Sequence, residues 1–120
     1  PVDHTVPAVA YRVDSGAASL VFSGDTGPCD AFWEAVNAIE NLRHLIIECA
    51  FPDSERRLAE VSKHFCPVML AAELSKLRRP CALHITHLKP ALSDETMAEA
   101  DDALAAWSPQ RLHGGQVIVF

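Results

Sequence analysis

From Val6 to Val13 the chain alternates apolar and polar positions and is rich in β-formers, the pattern of a strand. Asp14-Ser15-Gly16 reads as a turn, and Ala18 to Phe22 as the returning arm of a hairpin. Ser23-Gly24-Asp25-Thr26-Gly27-Pro28 then breaks the strand sharply. Phe32, Trp33, Val36 and Ile39 recur at helical spacing, with Asp30 as the expected N-cap. His44 to Cys49 is apolar enough for a central strand. Asp53 or Ser54 is expected to cap a second helix through Leu58 and Val61, and Pro67 to open a third from Val68 to Leu77. Cys81 to Thr86 reads as a strand, and Ser93 with Thr96 as the start of a fourth helix through Met97, Leu104 and Trp107. Gly114-Gly115 leads into a last predicted strand, Gln116 to Phe120. Strands separated by helices in this way predict an α/β domain, with no repeat, linker or low-complexity stretch.

Length and composition narrow the picture. One hundred and twenty residues fit a single domain, and 49% hydrophobic content lets it bury a core. The net charge is −6 and the ten basic residues are scattered, the densest group being Lys76, Arg78 and Arg79. That distribution predicts no nucleic-acid partner, since phosphate contacts draw on a clustered basic surface. An anionic substrate would need a metal or a few local cations. No apolar run reaches the ~20 residues of a spanning helix, so no membrane partner is expected. Cys29, Cys49, Cys66 and Cys81 form no CxxC pair, which predicts reduced thiols and a cytoplasmic location. The chain opens at Pro1 almost directly into an extended segment, which suggests missing upstream sequence.

Four polar residues fall at predicted strand ends: His4, Asp25, Glu48 and His87. Ligand sites in α/β sheets gather at such ends. Each has an ordinary structural role open to it, for Asp25 the hydrogen bonding of its own turn. Together they have the donor types that bind Zn²⁺ or Mn²⁺. A two-ion hydrolytic centre also needs one carboxylate able to bridge both ions. His84 and His87 lie three apart and so point to opposite faces of a strand, which leaves His84, on the face of Ala82, as structural.

The run His4-Thr5-Val6-Pro7-Ala8-Val9-Ala10-Tyr11, the turn Val21-Phe22-Ser23-Gly24-Asp25-Thr26 and Ile85-Thr86-His87 resemble the later metal motifs of the metallo-β-lactamase superfamily. Ile47-Glu48-Cys49-Ala50-Phe51-Pro52, Ser62-Lys63-His64, Leu70 to Leu74 and His87-Leu88-Lys89-Pro90 narrow the resemblance to class II cyclic-nucleotide phosphodiesterases. The ribonuclease Z branch shares the same His, Gly-Asp-Thr, His skeleton. The resemblance implies the C-terminal half of an αββα sandwich, a mixed sheet flanked by helices, with residues 1–120 as one partial domain. It implies two divalent metal ions (Zn²⁺, with Mn²⁺ as the alternative), His4 holding one, His87 the other, and Asp25 bridging. His64 would contact the phosphate or protonate the leaving oxygen; its alternative is helix capping. Lys89 would contact the phosphate or be solvated, and Thr26 would support the Asp25 turn. The implied substrate is a small cyclic nucleotide, 3′,5′-cyclic AMP, with hydrolysis by a ribonuclease Z-like or related enzyme as the alternative. The superfamily's His-x-His-x-Asp-His cluster does not occur in these residues, so the centre is expected to be incomplete and this chain alone inactive. A non-catalytic half-fold that pairs with itself or with a partner chain is the reading from another class.

Overall fold

A computed structural model describes residues 1–120. Its sheet has five strands in sequence order: β1 (Tyr11–Asp14), β2 (Ser19–Phe22), β3 (Leu42–Glu48), β4 (Ala82–Thr86) and β5 (Gln110–Arg111). β1 and β2 form the predicted hairpin; β2 to β5 are parallel neighbours. The parallel steps are spanned by α1 (Asp30–Asn37), then α2 (Arg56–Ser62) with α3 (Pro67–Leu74), then α4 (Ser93–Ala103). The predicted order of strands and helices is therefore the observed one.

Strand register sorts the side chains. Val21 pairs with Leu45, Leu45 with Leu83 and Ile47 with Ile85, so these five share one face. Phe32, Trp33 and Val36 of α1, Leu70 and Leu74 of α3, and Met97 and Ala100 of α4 join them in one core. The other face is different. Tyr11, Val13 and Phe22 are exposed there, and His44 and Ile46 are half-buried. No helix is long and apolar enough to cross a membrane, and all four cysteines are free thiols.

Several boundaries differ from expectation. The first strand begins only at Tyr11; Val2 and Ala8 make an isolated bridge, and Pro7 between them has no N–H for a ladder. The last strand is Gln110–Arg111, not Gln116 to Phe120. Gln110 and Arg111 already occupy the free edge of β4, and Leu112 extends that pairing through Ile85 O at 3.0 Å. Residues 116–120 instead run unpaired, with Ile118 and Phe120 half-buried and Val117 and Val119 exposed.

Capping differs too. Cys29, not Asp30, holds the N-cap position of α1, and Asp30 pairs with Lys76 Nζ at 2.7 Å. Asp53 opens a short 3₁₀ turn before α2, and its carboxylate accepts the Val68 N–H of α3 at 2.9 Å. It caps the third helix across a gap in sequence, which local pattern does not reveal. Ser93 begins α4 without a capping bond, and Thr96 Oγ1 donates back to Leu92 O at 2.8 Å. α3 stops at Leu74, short of Leu77, and Trp107 lies in a 3₁₀ turn beyond α4.

Candidate metal centre

The carboxyl ends of β2, β3 and β4 open into one group of loops. The turn after β2 requires its glycine: Gly24 has φ +63, and a Cβ there would stand 3.0 Å from Val9 O. Asp25 follows and projects into solvent, its side chain 41% exposed. His4 arrives on the N-terminal segment, which is tied down at Asp3: Gly27 N–H donates to Asp3 O at 2.8 Å and Lys63 Nζ to its carboxylate at 2.6 Å. His64 follows α2, whose C-cap Lys63 turns the chain with φ 56. His87 follows β4 with φ 63, a left-handed conformation that few residues without a glycine's freedom adopt.

These four side chains meet. One ligand atom each from His4, Asp25 and His64 lie within 4.8 Å of one another. The His4 and His64 rings stand edge to face at 4.9 Å, and His64 and His87 stack at 5.2 Å. His87 Nδ1 lies 3.6 Å from Asp25 Oδ1. All four residues predicted for the site are thus brought together, but His64, not His87, completes the tightest triple with His4 and Asp25. His64 does not cap α3, whose N-cap position is held by Cys66, but its own N–H donates to Ala59 O at 2.9 Å and closes the end of α2.

Glu48, one of the four residues at predicted strand ends, lies behind the group and is fully buried. Its carboxylate accepts the Thr26 N–H at 3.0 Å, the Phe65 N–H at 3.1 Å and the Ala50 N–H at 3.2 Å. His64 Nδ1 approaches it at 2.6 Å. A buried carboxylate is tolerated only when its lone pairs are filled, and here four donors fill them. The same contacts fasten the Asp25 turn to the strand ends, because Thr26 is Asp25's neighbour. A second anchor is His4, whose Nδ1 lies 3.1 Å from Lys63 O.

The donor set suits a divalent ion. Imidazole nitrogen and carboxylate oxygen are Zn²⁺ and Mn²⁺ ligands. With Nδ1 engaged by Glu48 or a backbone carbonyl, His64 and His4 each keep Nε2 free, and such outer contacts orient metal-binding imidazoles. Glu48 was singled out from the sequence as a strand-end carboxylate, but its part in tying together the Thr26, Ala50, His64 and Phe65 segments was not. The available signal was a carboxylate ending an apolar strand, which a buried position obliges to find several donors. His84 lies elsewhere, on the sheet face opposite the core, with His84 Nε2 at 3.1 Å from His44 Nδ1.

The fold and this loop cluster define the class. No known protein-family model matches the chain. The metallo-β-lactamase fold protein YhfI from Bacillus subtilis superposes with a TM-score of 0.70 at 20% identity, over 93% of this chain and 44% of that one. Human tRNase Z, short form, gives 0.70 at 17% identity, over 98% and 40%. The chain has the metallo-β-lactamase fold. Among curated proteins it is similar to ribonuclease Z of Mycobacterium sp. (strain KMS), 29% identical over 96% of this chain and 42% of that protein. It is also similar to ribonuclease Z of Mycobacterium tuberculosis, 28% identical over 77% and 35%. The chain thus spans about two fifths of the length of these relatives.

Proposed function

We propose that the chain carries part of the active site of a metal-dependent phosphodiester hydrolase of the ribonuclease Z kind. The observation that carries this reading is the convergence of His4, Asp25, His64 and His87 over the buried Glu48. The relatives' names favour RNA as the substrate over a cyclic nucleotide. They also count against the expectation, drawn from net charge, that no nucleic acid is a partner.

In this reading His4, Asp25 and His87 would hold divalent ions. Bound there, such ions supply a hydroxide nucleophile at neutral pH and offset charge on the phosphate oxygens. The remaining ligands are assigned to sequence outside these 120 residues, together with whatever covers the open sheet face. His64 is the proton carrier: Glu48 keeps a proton on Nδ1, so proton exchange with the leaving oxygen takes place at Nε2. Glu48 orients that ring without touching substrate.

The test uses the full-length protein with Zn²⁺ or Mn²⁺, on an RNA oligonucleotide and on 3′,5′-cyclic AMP. RNA cleavage that Asp25→Ala abolishes is expected. Cleavage of the cyclic nucleotide alone would restore that substrate, and hydrolysis of neither would sink the hydrolase reading. His64→Ala should keep its metal and lose activity; lost metal would make His64 a ligand instead.

A further inference from the structure

Two lysines border the cluster, and they differ in one respect. Lys63 is spent: its ammonium is paired with the Asp3 carboxylate at 2.6 Å. Lys89 has no carboxylate partner. Its Nζ lies 5.4 Å from the centroid of the Phe51 ring and 3.3 Å from His87 Nε2. An ammonium carries three donors; a neutral imidazole has a single acceptor nitrogen, which in the proposed centre would go to the metal, so the donors of Lys89 are left for another group.

Both residues are placed by the fold. Lys89 N–H donates to Ala50 O, and Phe51 N–H to Phe65 O, each at 3.3 Å. These bonds join the loop after β4 to the ends that carry Glu48 and His64. Phe51 is half-buried and meets the His64 ring edge to face at 5.8 Å. The aromatic face attracts the cation and holds it over the cluster.

We infer that Lys89 is the phosphate-binding residue of this site and that Phe51 is its positioning residue. The group recognised is the charged, non-bridging oxygen of a single phosphate, next to the His87 and Asp25 side of the cluster. The inference rests on the proposed phosphodiester chemistry for its biological meaning, but phosphate binding tests it separately. On a chain with a net charge of −6, one unneutralised cation at the cluster is what selects an anion. Loss of a contact made equally in the ground and transition states raises KM and leaves kcat alone.

The experiment titrates inorganic phosphate into the metal-loaded full-length protein, and measures RNA hydrolysis as a function of salt. Lys89→Ala should weaken phosphate binding and raise KM about tenfold, as for loss of one charge-assisted hydrogen bond, with kcat little changed. It should lower the salt slope by about one and leave metal content unchanged. Lys89→Arg should retain binding. Phe51→Leu should show a smaller effect of the same kind, which Phe51→Tyr should not. Unchanged phosphate affinity and KM in Lys89→Ala would overturn the assignment, and so would loss of metal from that variant. If the wild type cleaves no phosphodiester, the proposed function fails, while the phosphate titration still decides the role of Lys89.

Discussion

Four donors from four residues converge on the Glu48 carboxylate, so a change there reaches the Asp25 turn and the His64 ring together. Glu48→Gln replaces an acceptor oxygen with an NH₂ that faces donors. Each buried donor left unfilled costs about 1–3 kcal/mol. The expected loss of stability therefore exceeds about 2 kcal/mol, measurable by urea unfolding, with metal affinity reduced about 10- to 100-fold. A variant as stable as wild type would mean that the carboxylate does not hold these donors together. Asp25 and His4 were legible at this scale because glycine-bracketed turns and strand-end imidazoles leave marks in a single sequence. The contacts of Glu48 were not, because its partners lie up to 25 positions away and only the fold assembles them.

At the scale of elements, strand and helix order could be read almost completely, since apolar periods of two and of three to four separate the β from the α segments. What failed were ends and edges. Asp53 caps a helix that starts fourteen residues later, at Pro67, and β5 was missed because Gln110–Arg111 is too short and polar to show a period. The turn between β2 and α1 was legible, and it is demanding. Gly24→Ala meets both a left-handed backbone and the Val9 carbonyl, so a loss of about 1–3 kcal/mol is expected. Thermal unfolding would record it as a drop of several degrees; an unchanged midpoint would show that the turn can relax.

For the whole molecule, the sheet's two faces set its behaviour. The helix-covered face holds the core, and the other carries exposed Tyr11, Val13 and Phe22 beside the His44–His84 pair. His84 is buried and its Nδ1 has no partner; burial holds its pKa below the ordinary value, and His44 adds to this. His44 is lowered as well, by burial and then by Arg43. As pH falls through the unfolded-state value of about 6.5, the unfolded chain takes up protons that the folded pair resists, so stability falls with pH. Denaturation between about pH 7.5 and 5 should show this fall, and His84→Gln should flatten it; equal slopes would place the titration elsewhere. In an αββα sandwich this face would pack against a second sheet; the histidine pair on it was not legible, because His44 and His84 lie 40 positions apart and only strand pairing brings them together. The proposed function depends above all on Asp25 belonging to a metal centre. Calorimetric titration of Zn²⁺ into the full-length protein and its Asp25→Ala variant tests it most directly: saturable binding by the wild type, weakened at least about tenfold in the variant, is the predicted result, and matching isotherms, or no binding by either, would contradict it.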